Sequence, residues 1–262
     1  MDDFLKRVCS SIFLFLLFLA AIFTTIWFFF GFFLLVVFYL YYEWQGLILP
    51  KVSKSLRMVM SIILIAMVSF FYFMGLNEFV WPTLLATGLI YFWLIKSKLS
   101  LSDYSLFLLG VIYIAFFFHS LVSIRFNFDS GKALLFLAFL IVWSVDVGAF
   151  FVGKFFQGPK IAPKISPSKT WSGLCGGMFF STLIVYLALR SFSFEIDQHF
   201  VYVIPFIAIL AQVGDFFESY LKRRIGVKDS GTIIPGHGGV LDRFDGALLV
   251  IPVFYMLLYF YV

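Results

Sequence analysis

Long apolar runs recur along the whole chain, and the polar residues fall in short intervals between them. A helix that crosses a bilayer needs about 20 mainly apolar residues. The first run, from Cys9 to Tyr42, is too long for one span, so we expect two helices that break near Thr25–Gly31 and end near Leu49. The remaining runs predict spans at roughly 56–75, 79–95, 102–122, 132–152, 172–190, 199–219 and 246–262. The pattern predicts an all-α, polytopic membrane protein with about nine transmembrane helices in a single domain, 1–262.

Composition supports a membrane protein. The chain is 63% hydrophobic and 13% charged, whereas soluble domains carry about a quarter charged residues. The net charge of +5 comes from bases in short loops, which argues against nucleic acid as a partner. Cys9 and Cys175 form no disulfide framework or metal-binding spacing. The apolar run after Lys6 and Arg7 has no small-residue cleavage site, so we expect a retained anchor rather than a signal peptide.

The distribution of basic residues predicts the orientation. With nine spans, all but three of the 19 Lys and Arg residues fall on one side of the membrane; the exceptions are Arg125, Lys132 and Arg190. Basic residues concentrate in cytoplasmic loops. We therefore expect an integral protein of the cell membrane with its N-terminus in the cytoplasm and its C-terminus outside. The two polar segments 143–173 and 212–246 would both face the cytoplasm.

The segment from Asp215 to Asp245 concentrates acids, bases and glycines. Asp215 and Glu218 lie three residues apart at the end of a span, on one helical face with Ser219 and Lys222. Asp242 and Asp245 repeat this spacing at the start of the last span, and two antiparallel helices can bring the two acidic ends together. Carboxylates together with substrate phosphates are typical ligands of Mg²⁺. The segment therefore predicts a metal–phosphate site, in which the turn Pro235-Gly236-His237-Gly238-Gly239 and the bases Lys222, Arg223 and Lys228 contact an anion.

A second segment, from Trp143 to Trp171, is cationic and rich in hydroxyl groups. No Asp or Glu occurs from Val147 through Phe194. Such a loop suits a polyphosphate or an anionic headgroup, and simple attraction to anionic lipid is the alternative. Its candidate residues are Asp146, Lys154, Lys160, Lys164, Ser166, Ser168, Lys169 and Thr170.

Glu43 ends a span beside Trp44. The favoured interpretation is a side chain that snorkels to the membrane interface, and the alternative is a support for the site.

Taken together, these motifs resemble the signature of the phosphatidate cytidylyltransferase family, also called CDP-diacylglycerol synthases. The pattern S-x-x-K-R, K-D, P-G-H-G-G and D-R-x-D matches Ser219, Lys222, Arg223, Lys228, Asp229, Pro235–Gly239, Asp242, Arg243 and Asp245. The second segment is similar to the family at Trp143, Asp146, Ala149, Gly153, Ile165, Ser166, Pro167, Lys169, Thr170, Trp171 and Gly173, and so is the run Tyr42-Glu43-Trp44.

The resemblance implies an enzyme that converts CTP and phosphatidate to CDP-diacylglycerol and pyrophosphate. It also implies a nine-span fold, a homodimer, and Mg²⁺ at Asp215 and Asp242, with a monovalent cation such as K⁺ as a second candidate. Asp146, Glu218 and Asp245 are further candidate ligands. The expected catalytic residues are Asp215, Asp242, Lys222, Arg223 and His237, and the expected substrate-binding residues are Lys164, Ser166, Lys169, Thr170, Lys228, Gly238, Gly239 and Arg243.

Three other functions are alternatives. A cytidylyltransferase for another lipid phosphate, such as an isoprenoid-ether one, would carry the same motifs. A CDP-alcohol phosphotransferase is disfavoured because its D-G-x-x-A-R string is missing from the sequence. A transporter of an anionic solute would favour charges near the midplane and broken helices in paired halves, whereas these charges cluster at one face.

Overall fold

The computed structural model describes residues 2–75, 88–89, 93, 100–192, 196–234 and 238–262, with side chains from residue 12 onward except at 71. Eight α-helices make up most of this part of the chain. They are α1 (Asp2–Phe23), α2 (Ile26–Ile48), α3 (Lys54–Phe73), α4 (Leu101–Asn127), α5 (Gly131–Phe156), α6 (Trp171–Ser191), α7 (Ile204–Arg224) and α8 (Leu241–Tyr261). A 3-10 helix, Gln198–Val203, leads directly into α7.

Six of the described segments are long and apolar enough to cross a membrane: α2, α4, α5, α6, α8 and the continuous stretch Gln198–Arg224. Their outer surfaces carry large apolar side chains, including Trp27, Phe179, Phe206 and Phe260, each more than 60% exposed. An exposed apolar surface of this extent fits contact with lipid. The predicted all-α, polytopic membrane fold is confirmed. The count of nine spans stays a prediction, and the span expected at 79–95 lies almost wholly outside the described residues.

The predicted division of the first apolar run is confirmed. Helix α1 ends at Phe23, and α2 begins at Ile26 with Thr25 as its N-cap, whose hydroxyl accepts a hydrogen bond from Phe28 N at 3.3 Å. Threonine satisfies one of the unpaired N–H groups at a helix start. Ser53 caps α3 in the same way.

Several helices extend further than the apolar pattern predicted. Helix α5 continues to Phe156, where Gln157 takes a left-handed conformation with φ 46°. Helix α8 begins at Leu241 rather than at 246, so its first turns contain Asp242 and Asp245. The apolar pattern does not extend into these turns because they contain charged residues, although they are helical.

The chain divides into two compact units, Met1–Phe116 with Asp229–Asp242, and Phe117–Lys228 with Arg243–Val262. In the first unit α2 packs against α1 and α3. The buried indole of Trp44 lies against Gly110 of α4, where a Cβ would overlap the ring. Tyr41 donates a hydrogen bond to Val111 O at 3.0 Å. Small residues allow membrane helices to approach closely, and Gly110 does so for α2 and α4.

In the second unit α5, α6 and α7 form the packed interior, with α5 and α6 in the most extensive contact. Glycines on both helices bring their backbones together: a Cβ at Gly148 would lie 2.7 Å from Gly176 O, and one at Gly177 would lie 3.0 Å from Val145 O. This close approach fixes the C-terminal end of α5 beside the start of α6.

A short antiparallel hairpin joins α5 to α6, within a segment that the sequence analysis treated as a loop. Strand β1 (Lys160–Ala162) pairs with β2 (Ser166–Thr170), with Lys160 opposite Thr170 and Ala162 opposite Ser166. Thr170 ends the hairpin and caps α6, since its hydroxyl accepts a hydrogen bond from Gly173 N at 3.0 Å. The basic segment is therefore held in a defined conformation.

Candidate functional site

The second unit contains a polar cavity of about 650 Å³ where α5, the hairpin, α6 and α7 meet. This volume lies within the range of small-molecule binding sites. Both acids and bases line it, together with small residues of the α5–α6 contact. Its wall is formed by Asp146, Ala149, Phe150, Gly153, Lys154, Gln157, Lys160, Ser168, Lys169, Thr170, Gly173, Leu174, Gln212 and Asp215.

Lys169 of β2 forms an ion pair with Asp215 of α7 in this cavity. The Lys169 side chain is 15% exposed, and its ammonium group also lies 4.6 Å from the centre of the Phe216 ring. The other oxygen of Asp215 accepts a hydrogen bond from Ser219 at 3.3 Å. Lys169 and Asp215 are thus direct neighbours, although they belong to different segments of the sequence. The sequence predicts phosphate binding for Lys169 and metal binding for Asp215.

Asp146 of α5 and Asp245 of α8 interact electrostatically with Asp215, and Lys169 and Arg243 are the cationic side chains in the same network. We call Asp146, Asp215 and Asp245 the acidic cluster. Asp245 Oδ1 also accepts a hydrogen bond from Gly246 N at 2.6 Å. The second unit therefore gathers three carboxyl groups and two cationic side chains in one place.

The acidic cluster offers the hard oxygen donors that Mg²⁺ prefers. Within the described part of the chain, no three His, Cys, Asp or Glu side chains converge closely enough to form a complete metal site. Mg²⁺ usually takes one or two carboxylates and completes its shell with water and substrate phosphates, so the donor set fits that mode of binding. Mg²⁺ and K⁺ both stay predictions.

Lys222, predicted to bind phosphate, forms a buried ion pair with Glu218 at 3.0 Å. The two side chains are one helical turn apart on α7 and are 10% and 4% exposed. Glu218 was a candidate metal ligand, yet its Oε2 accepts a hydrogen bond from Lys222. Phosphate binding by Lys222 and metal binding by Glu218 both stay predictions. In the structure the two charges offset each other.

Arg223 connects the end of α7 to the hairpin. Its Nε donates to Ile165 O at 3.3 Å, and its Nη1 donates to Val227 O at 2.9 Å. Ile165 lies in the turn between β1 and β2, so a single guanidinium holds the hairpin turn and the segment after α7. The sequence predicted a direct catalytic role for Arg223; the described contacts instead are with backbone carbonyls.

In the first unit, Asp242 organises the segment that precedes α8. Its Oδ2 accepts hydrogen bonds from Ser230 N at 2.9 Å, from Ser230 Oγ at 3.0 Å and from Gly239 N at 2.7 Å. Gly238 has φ 85°, and a Cβ there would lie 2.6 Å from Asp242 Oδ2. The glycines thus let the loop fold around a carboxylate of the protein itself. Their predicted contact with substrate is untested.

Glu43 is buried in the structure, contrary to the sequence-based expectation. The favoured interpretation, a side chain that snorkels to the interface, is wrong, because Glu43 is only 3% exposed. Its carboxylate accepts hydrogen bonds from Ser230 Oγ, Val240 N and Leu241 N at 2.8, 3.0 and 2.8 Å. The signal that could have revealed this role is the position of an acid inside an apolar helix, which marks a functional residue by default.

The other predicted residues differ in their surroundings. Lys164, Lys228 and Arg243 are exposed, and Ser166 is half-buried in β2. His237, with Pro235 and Gly236, lies outside the described residues. The structure therefore brings together Asp146, Lys169, Thr170, Asp215 and Asp245 in the second unit, and Gly238, Gly239 and Asp242 with Glu43 in the first.

The fold and these groups define a polytopic helical membrane protein with a charged cavity of acids and lysines. The sequence profile of the cytidylyltransferase family matches residues 5–261. The chain belongs to this family.

Curated relatives carry a more specific name. Proteins named phosphatidate cytidylyltransferase match from Rickettsia felis, 48% identical over 49% of this chain and 60% of the relative, and from Bacillus subtilis, 40% identical over 65% and 64%. The Rickettsia conorii protein of that name is 39% identical over 66% of this chain and 77% of its own length. In the first two matches the chain covers less than two thirds of the relative.

Proposed function

We propose that this protein is a phosphatidate cytidylyltransferase, which transfers the cytidylyl group of CTP to the phosphate of phosphatidate. The observation that carries the proposal is the cavity in which Lys169 pairs with Asp215 beside two further carboxylates. Membership of the cytidylyltransferase family and the names of its relatives support the nucleotide and the lipid. The six long apolar helices support a substrate that resides in the bilayer.

The reaction is an in-line displacement at the α-phosphorus of CTP. A phosphate oxygen of phosphatidate forms the new P–O bond, the bond to the β-phosphate breaks, and pyrophosphate leaves with its electron pair. Both reactants are polyanions, so the chain contributes mainly by positioning them and by neutralising their charge. Lys169, Lys154 and Lys160 line the cavity and would bind phosphate oxygens. No covalent intermediate on the protein is needed.

Asp215 and Asp242 are the proposed ligands of Mg²⁺, with Asp146, Glu218 and Asp245 as further candidates. A bound divalent cation would offset the negative charge that develops on the transferring and leaving phosphates. Asp215 also holds Lys169, so its carboxylate would orient the lysine and the nucleotide phosphates together. We further propose a cytoplasmic site and a homodimer, which follow from the basic loops and from the family resemblance.

Incubation of the purified protein in mixed micelles with CTP labelled at the α-phosphate, phosphatidate and Mg²⁺ tests the proposal. We expect label in a lipid product that requires phosphatidate, together with release of pyrophosphate in equal amount. A panel containing an isoprenoid-ether lipid phosphate separates the nearer alternative, because the preferred acceptor gives the higher kcat/KM. Failure to label any lipid phosphate, with protein that is folded and in the membrane, would refute the proposal.

A further inference from the structure

Glu43 is a buried carboxylate near the C-terminal end of α2, six positions before Leu49. A charged or polar group removed from water is costly unless hydrogen bonds replace its hydration. An acid retained at such a position therefore needs specific partners. Its neighbour Trp44 is an ordinary packing residue against Gly110, so burial of this stretch does not itself require an acid.

All three hydrogen-bond donors described for Glu43 belong to the segment before α8 or to the first residue of α8. Oε1 accepts from Val240 N at 3.0 Å, while Oε2 accepts from Leu241 N and Ser230 Oγ, each at 2.8 Å. The first N–H groups of a helix have no partner within the helix. Val240 lacks a side chain that could cap α8, and the carboxylate of Glu43 supplies the acceptor from a helix almost 200 positions earlier in the chain.

The same segment is shaped to receive the carboxylate. A Cβ at Gly231 would lie 2.5 Å from Glu43 Oε1, and a Cβ at Gly239 would overlap both Glu43 Oε2 and Ser230 Oγ. Any larger residue at these two positions would displace the acid or the loop. Two glycines on different parts of the segment thus close around one side chain.

Ser230 links Glu43 to Asp242. Its hydroxyl lies 2.8 Å from Glu43 Oε2 and 3.0 Å from Asp242 Oδ2, so its single hydrogen is shared between two carboxylates. Asp242 Oδ2 is also held by Ser230 N and Gly239 N. Asp242 is therefore positioned by Ser230 and Gly239, and Glu43 holds the same segment through Ser230 and the adjacent Val240.

We propose that Glu43 is a positioning residue: it holds the described parts of the segment, 229–234 and 238–242, so that Asp242 keeps the orientation needed for the reaction. The role rests on the proposed function, since Asp242 matters to turnover only if it serves the cytidylyl transfer. Glu43 itself is not assigned any contact with substrate.

Glu43→Gln is the most direct variant, because it keeps the volume but removes the charge and replaces one acceptor by an NH₂ donor that faces other donors. Glu43→Asp retains both acceptor oxygens on a shorter side chain. Gln45→Met is the matched control: Gln45 is 1% exposed on the same helix, and its amide donates to Ser61 Oγ at 2.9 Å rather than to the segment before α8.

Two measurements are made on each purified variant. Hydrogen–deuterium exchange of peptides that cover Val240 and Leu241 reports the hold of Glu43 on the segment without any need for activity. Steady-state kinetics then separate kcat from KM for CTP, and a thermal melt reports overall stability. A residue that only stabilises the fold would lower the melting temperature and the active fraction, as Gln45→Met is expected to do, without faster exchange confined to this segment.

For Glu43→Gln we expect exchange at Val240 and Leu241 at least about tenfold faster and kcat about 10- to 100-fold lower, as for supporting residues of other active sites. KM for CTP should change less than about threefold, and Glu43→Asp should give an intermediate kcat. Unchanged exchange, or faster exchange with wild-type kcat, overturns the proposal. If the wild-type protein labels no lipid, the proposed function fails, whereas the exchange measurement still decides whether Glu43 holds the segment.

Discussion

Lys169 and Asp215 form an ion pair in the cavity of the second unit, although they lie 46 positions apart in the chain with the whole of α6 between them. The pair joins the basic hairpin to an acidic residue in the C-terminal half of α7. Under the proposed function, Lys169 would contact two anionic groups, the carboxylate of Asp215 and the phosphates of CTP. The charge of Lys169 should therefore affect both nucleotide binding and the position of the Asp215 carboxylate.

If the protein has the proposed function, Lys169→Met should reduce kcat/KM for CTP by about 100-fold or more, since it removes a cation that would face the transferring phosphates. Lys169→Arg should recover only part of this loss, because a planar guanidinium does not replace a compact ammonium group in a defined cavity. Steady-state kinetics on the purified variants measure both. Lys51→Met, which removes an exposed lysine before α3, is the control, and equal losses in both Met variants would contradict the assignment.

Asp215→Asn and Asp242→Asn should each abolish measurable turnover, with losses of at least about 100-fold, while the proteins still insert into the membrane and purify. Asp215→Glu keeps a carboxylate but displaces it, so it should leave residual activity and raise the Mg²⁺ concentration needed for half-maximal activity. A titration of activity against Mg²⁺ checks this. Asp129→Asn, at an exposed turn between α4 and α5, should behave as wild type. Near-normal activity in both site variants would refute the metal assignment.

The sequence predicted those features that depend on neighbours in the chain. Apolar run length located most helices, and the break at Thr25 followed from a run too long for one span. The spacing of four residues on α7 placed Ser219 beside Asp215 and Lys222 near Glu218, as the structure has them. These relations are local, so helical geometry alone determines them.

Other features depend on contacts between distant segments and could not be derived in this way. The acceptor for the first N–H groups of α8 comes from Glu43, and no spacing rule connects residues so far apart. The start of α8 at Leu241 was missed for the same reason, because partners outside the helix stabilise a charged first turn. The pairing of Lys169 with Asp215 likewise requires the fold.

Arg223→Ala should loosen the hairpin, because the guanidinium bridges Ile165 O and Val227 O. Each hydrogen bond to a charged group contributes on the order of 1 kcal/mol at a partly exposed position, so we expect roughly fivefold faster tryptic cleavage after Lys164. Arg224→Ala, at the neighbouring exposed position, is the matched control. If Arg223 instead contacts substrate directly, its removal should raise KM for CTP without any change in the cleavage rate.

Gly238 and Gly226 allow two effects of a glycine substitution to be separated, namely strain from a positive φ and displacement of the Asp242 carboxylate. Both have positive φ, 85° and 73°, but a Cβ at Gly226 would meet nothing within 4 Å, whereas one at Gly238 would lie 2.6 Å from Asp242 Oδ2. A left-handed conformation costs a residue with a Cβ about 1–2 kcal/mol, so Gly226→Ala and Gly238→Ala should lose similar stability from that cause. Only Gly238→Ala should also displace the Asp242 carboxylate and lower kcat, by about tenfold or more. Thermal melts and kinetics on the two variants measure the two effects, and equal kcat values in both would show that the orientation of Asp242 does not limit turnover.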